Sequence, residues 1–161
     1  MTWEEMCADP NLRDLPFKIE QDRYGRVVMS PVSPNHGRLQ GRINNLLSQM
    51  LPGWVVFVEG GVDSEDGTKS PDVSALPKER FGRINGKASL SEAPDLAVEV
   101  LSPANRPEEM NEKRRLFAAR GCREFWTCSE DGAMTFCDGP TGKRLARSAL
   151  CPRFPAMVSL E

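Results

Sequence analysis

The segment from 96 to 101, Leu-Ala-Val-Glu-Val-Leu, constrains the fold more than any other part of this 161-residue chain. It has the length of a strand, and it is apolar on both faces apart from Glu99. A strand that is buried on both faces lies inside a sheet with helices packed on either side. The segment therefore predicts the centre of an α/β fold, with a carboxylate inside it.

The patterns on either side supply the other elements of that fold. Residues 17–21 and 26–29 alternate around a turn and predict a hairpin. A helical stripe of apolar residues follows a Ser33 or Asn35 cap and ends before Pro52. Residues 54–62 predict a strand, and residues 71–76 predict its hairpin partner across a turn at 65–67.

The second half of the chain continues the alternation of strands and helices. A polar loop is predicted where four basic residues cluster, namely Lys78, Arg80, Arg83 and Lys87. A helix is predicted from an Asn105 cap to Arg120, followed by strands at 124–128 and 133–136. After a partly helical lead-in at 1–15, we expect one domain over residues 1–161, with one mixed sheet flanked by two main helices.

Composition excludes several classes of protein. The chain is 39% hydrophobic and carries a formal charge of −2, so no global positive field indicates nucleic acid. Its longest apolar run, residues 54–58, is too short for a membrane helix, and its first residues do not resemble a signal peptide. We therefore expect a cytoplasmic protein without membrane contact, whose five cysteines are reduced packing residues.

Glu99 and Asp72 are the first candidate site residues. Glu99 shares a strand face with Ala97 and Leu101, where an ionised carboxylate is costly unless a cation or metal pairs with it. Asp72 comes from another strand and can approach Glu99 from the side, whereas Asp95 is about 13 Å away along the same strand. Two adjacent carboxylates require a divalent cation between them or a proton on one of them. A structural carboxylate at a strand end remains the alternative for each.

Lys113 is the third candidate. It falls within the apolar stripe of its predicted helix, together with Met110, Leu116 and Phe117. Lysine is almost never buried without a partner, so Lys113 pointing toward the sheet could meet the two carboxylates. The alternative is a surface ion pair with Glu109 one turn earlier.

Two further residues are weaker candidates. His36 precedes Leu39 by three positions and so leans toward the buried side of its helix, near the positive helix end. A histidine without a function at that position is equally consistent with the pattern. Glu20 lies opposite Phe17 and Ile19 in the first strand, a position that usually faces solvent.

Taken together, these residues resemble the Uma family of restriction-endonuclease-like proteins, a branch of the PD-(D/E)XK nuclease superfamily. The resemblance covers nearly the whole chain, from Phe17 to Leu160. The matching strings are Met29-Ser30-Pro31, Ser33-Pro34-Asn35-His36, Pro71-Asp72-Val73, residues 93–103, Lys113, Gly121 and Glu124-Phe125-Trp126. Leu101 stands where the superfamily pattern has a lysine, and the family commonly supplies that lysine from the next helix.

The resemblance implies a restriction-endonuclease-like core and a site. Asp72 and Glu99 are implied as metal ligands, Lys113 as the catalytic lysine, and Glu20 and His36 as auxiliary site residues. The expected function is a Mg²⁺- or Mn²⁺-dependent endonuclease that hydrolyses phosphodiester bonds of DNA. A homodimer is expected by fold analogy, because cutting both strands requires two sites.

Two alternatives remain open from the sequence. The near-neutral charge slightly favours a catalytically silent module that binds nucleic acid or protein on the same fold. An enzyme that acts on RNA is the other, since the basic residues around Phe81 do not distinguish the two nucleic acids.

Overall fold

A six-stranded mixed sheet forms the centre of the protein, and the computed structural model describes all of residues 1–161. The helices are α1 (Trp3–Ala8), α2 (Pro34–Met50), α3 (Lys78–Ile84) and α4 (Pro107–Ala118). The strands are β1 (Phe17–Gln21), β2 (Val27–Pro31), β3 (Trp54–Val58), β4 (Val62–Ser64), β5 (Gly67–Lys69), β6 (Val73–Pro77), β7 (Leu96–Val100), β8 (Glu124–Cys128), β9 (Met134–Asp138) and β10 (Arg144–Leu145). None of the helices combines the length and apolar character needed to cross a membrane.

The predicted central strand is β7, which lies inside the sheet. The strand order is β10-β9-β8-β7-β6-β3, and only the β7–β8 pair is parallel. Helix α4 connects these two parallel strands, as a crossover connection requires. Every residue of β7 is buried.

Helices cover both faces of this sheet, which confirms the predicted α/β class. On one face α2 contributes Leu39, Ile43 and Leu47 to a core that includes Val98 of β7. On the opposite face Phe117 of α4 belongs to a second core. Alternate residues of β7 therefore point into two different cores, and Glu99 shares the α4 face with Ala97 of that second core.

The region between β3 and β6 differs from its sequence-based prediction. The predicted strand at 54–62 ends at Val58, because Glu59 takes a positive φ of 54° and interrupts the extended backbone. The turn at 65–67 belongs to a separate small hairpin, β4–β5, inserted between the two strands. The predicted antiparallel pairing of β3 with β6 is nevertheless present.

Two other local predictions are wrong. The predicted polar loop contains α3, because Phe81 and Ile84 lie one helical turn apart and pack into the second core. The predicted cap of α4 was Asn105, but Arg106 holds the cap position and its backbone N–H donates to Glu109 Oε2 at 3.0 Å. The Asn105 side chain instead accepts from the backbone N–H of Ser102.

The β1–β2 hairpin forms where it was predicted, but as a two-stranded sheet of its own and not as part of the central sheet. It packs against β5. Gly67 permits this contact, because its φ is +77° and a side chain there would collide with the backbone oxygens of Gln21 and Asp22. Side chains of β1 are thereby brought to the end of the central sheet where β6 begins.

Candidate active site

The register between β6 and β7 brings two carboxylates together. Val73 pairs with Val98, so the residue before β6, Asp72, lies beside Glu99. Asp72 is 1% exposed and Glu99 is 3% exposed. Asp72 Oδ2 accepts a hydrogen bond from the backbone N–H of Val100 at 2.7 Å, which fixes the orientation of this carboxylate toward β7.

The ammonium group of Lys18 lies between these carboxylates. Lys18 Nζ is 3.1 Å from Asp72 Oδ1 and 3.0 Å from Glu99 Oε2. Sequence patterns did not indicate this residue, because strand β1 has its apolar positions facing outward and its polar positions facing inward. The available signal was the pair Lys18 and Glu20, whose side chains share one face of a strand at a spacing of two.

Glu20 is buried, contrary to the solvent-facing position expected for it. The alternation in β1 is real, but Phe17 is 41% exposed and Glu20 is only 6% exposed. Polar groups at the end of the central sheet contact Glu20, and its Oε2 accepts a hydrogen bond from the backbone N–H of Ser70 at 2.7 Å. This hydrogen bond replaces part of the lost hydration, so burial of the polar face is tolerated.

Lys113 projects from α4 into the same cluster. Its Nζ donates to Glu20 Oε1 at 2.9 Å and to Glu99 Oε1 at 3.2 Å. The position of Lys113 in the apolar stripe therefore indicated its direction, and the alternative surface pair with Glu109 does not form. Lys113 uses the Glu99 oxygen that Lys18 leaves free.

His36 reaches the cluster from the opposite face of the sheet. Ser33 caps α2 by accepting from the backbone N–H of His36, which places the imidazole in the first helical turn. His36 Nε2 lies 3.3 Å from Asp72 Oδ2, while its buried Nδ1 has no hydrogen-bond partner. All five predicted site residues thus lie in one place.

The charges in this cluster do not balance. Three carboxylates (Glu20, Asp72 and Glu99) face two ammonium groups (Lys18 and Lys113), which leaves one negative charge when His36 is neutral. A proton, an imidazolium or a further cation would neutralise it. A buried, uncompensated charge is costly, so the cluster favours the uptake of one of these.

The pKa values of Glu99, Asp72 and His36 are all shifted in this cluster. Burial raises the pKa of Glu99 to about 7, and Lys113 and Lys18 oppose that shift only in part. Burial also acts to raise the pKa of Asp72, but Lys18 and His36 outweigh it and hold the pKa well below its usual range. The hydrogen bond to Asp72 raises the pKa of His36, against the opposing effect of burial.

Both lysines remain charged in spite of their burial. Desolvation acts to lower the pKa of Lys18, but the carboxylates of Glu99 and Asp72 outweigh it and raise that pKa above its ordinary value. The pKa of Lys113 is raised in the same way, by Glu99 and Glu20 against desolvation and the nearby Lys18.

The cluster opens into a cleft of about 690 Å³, which residues 29–31 of the β2 region and residues 101–105 after β7 also line. Glu109 and Glu130 add two further acids to its wall, whereas Lys18 and Lys113 are its only lysines and no arginine lines it. The cleft is therefore acidic and has its cations at the bottom.

Asp72 and Glu99 fit a divalent metal ion. The ammonium of Lys18 already lies within hydrogen-bond distance of both, so the pair can share one cation. No group of three or more His, Cys, Asp or Glu side chains is arranged around a common point. An ion held by two carboxylates that keeps water at its other positions is the arrangement Mg²⁺ accepts.

Asp95, the rejected partner of Glu99, belongs to a different ionic group. It pairs with Arg80, Nη1 to Oδ1, at 2.5 Å and with Arg123 at 3.7 Å, at the start of β7. The separation expected along the strand therefore places it outside the candidate site.

The fold has a clear structural relative. A crystal structure described as "a putative nuclease belonging to DUF820" from Anabaena variabilis matches with a TM-score of 0.71. The match covers 98% of this chain and 95% of the other, at 16% sequence identity. The chain therefore shares the fold of that structure, a mixed sheet with helices on both faces.

Family membership follows from the sequence itself. Residues 6–150 match the Uma2 family model, which is described as "Putative restriction endonuclease". The chain belongs to this family, as the resemblance in the sequence predicted. A search of curated proteins finds no match.

Proposed function

We propose that this protein is a metal-dependent endonuclease that hydrolyses phosphodiester bonds of DNA. The observation that carries the proposal is the convergence of Asp72, Glu99 and Lys113 at the bottom of one cleft. They come from a loop, a strand and a helix that are far apart in sequence. A buried cluster of ionisable groups with shifted pKa values in a cleft is typical of a functional site.

Asp72 and Glu99 are the residues that would hold Mg²⁺ or Mn²⁺. When bound, such an ion supplies Lewis acidity toward a phosphodiester oxygen and lowers the pKa of water. The acidic cleft supports this assignment, because an approaching phosphodiester needs more positive charge than the two lysines provide.

The other residues of the cluster position charge for that reaction. Glu20 and Glu99 hold the Lys113 ammonium from two sides, which fixes a cation where negative charge develops on the phosphate. His36 contacts Asp72, and the backbone N–H of Val100 donates to the same carboxylate, so Asp72 is oriented before substrate arrives.

The family description supports DNA as the substrate. An endonuclease that cuts both strands of a duplex needs two active sites, and this chain contains one such cluster. We therefore propose a homodimer, which light scattering coupled to size-exclusion chromatography would measure directly.

A catalytically silent binding module is the second candidate. The observation that favours it is Lys18, whose ammonium contacts both Asp72 and Glu99 and offsets one of their two negative charges without any metal. In that case the cluster stabilises the fold, and the cleft binds nucleic acid or protein without cleaving it.

Cleavage assays on three substrates separate these candidates. Supercoiled plasmid, single-stranded DNA and RNA are incubated with the protein in Mg²⁺, Mn²⁺ or EDTA. We expect nicking or linearisation of the plasmid in Mg²⁺ or Mn²⁺, none in EDTA, and none with Asp72→Asn. Absence of cleavage under every divalent ion would favour the binding module, and cleavage of RNA alone would replace the proposed substrate.

A further inference from the structure

The ammonium of Lys18 lies between Asp72 and Glu99 and contacts both. Its Nζ lies 3.1 Å from one carboxylate and 3.0 Å from the other, and its side chain is 8% exposed. A metal ion bound by the same two oxygens would need the same space. Two cations in that space would repel each other strongly in a buried environment.

We infer that the Lys18 ammonium and a divalent metal ion are alternative occupants of the Asp72–Glu99 pair, and that the lysine must leave before the ion binds. This inference rests on the proposed function, since it takes the pair to be a metal site. Lys18 is then a counter-cation that offsets part of the carboxylate charge and lowers the apparent metal affinity. The apparent association constant equals the intrinsic constant multiplied by the fraction of molecules in which the lysine has left.

A second cavity next to Lys18 has room for its side chain after displacement. Lys18 lines both the active-site cleft and a second cavity of about 250 Å³, whose wall includes Glu59 and Asp14. These acids could accept the displaced ammonium. Because β1 belongs to its own two-stranded sheet, a movement of this side chain breaks no backbone hydrogen bond of the central sheet.

Lys113 provides a matched comparison in the same cluster. It also pairs with Glu99 through one oxygen, but its second partner is Glu20, and it does not contact Asp72. Removal of either lysine takes away one nearby positive charge, whereas only removal of Lys18 empties the space between the proposed metal ligands. The difference between the two variants therefore isolates the competition for that space.

The experiment is a titration with Mn²⁺, followed by calorimetry and by the electron paramagnetic resonance signal of free Mn²⁺. Lys18→Met is compared with Lys113→Met and with wild type, and circular dichroism verifies that each is folded. We expect Lys18→Met to bind Mn²⁺ at least about tenfold more tightly than Lys113→Met, because the competing occupant is gone. A purely structural Lys18 would give equal or weaker binding when removed, because loss of the lysine would disorder the carboxylates.

A second measurement needs no variant and covers the case in which Lys18→Met does not fold. Lysines of the wild-type protein are modified with an amine-reactive reagent with and without Mg²⁺, and each site is quantified by mass spectrometry. We expect Lys18 to become several-fold more reactive in Mg²⁺, while Lys87, which is 83% exposed, reacts equally in both conditions. Equal protection of Lys18 with and without Mg²⁺ would overturn the inference.

The outcomes also separate this inference from the proposed function. If wild type binds Mn²⁺ and Lys18→Met binds it no more tightly than Lys113→Met, only the competition is refuted. If none of the folded proteins binds Mn²⁺ at millimolar concentration, the metal site and the competition are refuted together.

Discussion

Two buried glutamates on neighbouring strands have opposite surroundings. Glu99 of β7 and Glu124 of β8 are each 3% exposed. Glu124 accepts only from uncharged donors, namely Trp126 Nε1 (2.8 Å), Ser148 Oγ (2.6 Å) and the backbone N–H groups of Ala149 (2.7 Å) and Leu150 (3.1 Å). Glu99 is paired with two ammonium groups, from β1 and α4.

The difference distinguishes a structural carboxylate from a candidate catalytic one. Four donors occupy the two oxygens of Glu124, so this carboxylate has no free acceptor position for a ligand. Three of these donors belong to residues 148–150, and the carboxylate therefore holds the C-terminal segment against the sheet. The donors to Glu99 are ends of flexible side chains at the bottom of an open cleft. Groups of that kind can exchange one partner for another, whereas fixed dipoles cannot.

The largest expected effect is on cleavage. Glu99→Gln removes one of the two proposed metal ligands, and we expect it to lower the single-turnover rate on plasmid DNA by about a hundredfold to a thousandfold. Glu124→Gln should leave the rate per folded molecule within about threefold of wild type, since it is remote from the cleft. Equal losses in the rate per folded molecule would contradict the distinction between the two glutamates.

The next effect is on folding. Glu124→Ala leaves four donors without their acceptor, two buried and two partly buried, and we expect the free energy of unfolding to fall by about 3 kcal/mol or more. Urea denaturation followed by tryptophan fluorescence measures this change, with Glu4→Ala at an exposed surface pair as a control that should change little. A loss below about 1 kcal/mol would mean that water replaces the carboxylate at little cost.

Metal binding should raise the stability of the fold through Asp72 and not through Glu124. At a Mg²⁺ concentration ten times the dissociation constant, linkage predicts about 1.4 kcal/mol of added stability, and so a midpoint higher by about 4 °C. We expect this shift in wild type and in Glu124→Gln, and none in Asp72→Asn, by differential scanning calorimetry. A shift retained in Asp72→Asn would place the ion elsewhere.

The smallest effect concerns Cys122, next to the structural end of the sheet. Its thiol donates to the backbone oxygen of Glu124 at 3.1 Å, and burial raises its pKa from 9.0 to about 12. The folded state therefore binds a proton that the unfolded state releases between these values, so stability is lost as pH rises from 9 to 12. Relative to Cys122→Ala, wild type should lose roughly 1 kcal/mol between pH 8 and pH 10, measured by urea denaturation. Parallel pH profiles of the two proteins would contradict this.

Local patterns predicted the strands and helices that bury large apolar stripes. The β7 segment and the α2 stripe are where periodicity places them, because side-chain spacing alone determines which residues share a face. Helix α3 was missed because three basic residues surround its few apolar positions. The β4–β5 hairpin was missed because a single backbone conformation, at Glu59, decides where β3 stops.

The candidate site was predictable only where polarity conflicted with burial. Glu99 in an apolar strand and Lys113 in an apolar stripe are such conflicts, and each indicated a partner. Lys18 and Glu20 produced no conflict, because a strand with apolar and polar faces normally turns the apolar face inward. Only the packing of the hairpin against β5 reversed that orientation.

By itself, the sequence determined the family and the central strand, and it singled out Glu99 and Lys113, because these depend on residue order and local periodicity. The tertiary structure alone decided that Lys18 lies between Asp72 and Glu99, and that Glu124 is enclosed by neutral donors while Glu99 is not. The physical reason is that a charged group takes its partners from whatever the fold places within a few ångströms. Those partners are separated by tens of residues along the chain, a distance over which no sequence pattern reports contact.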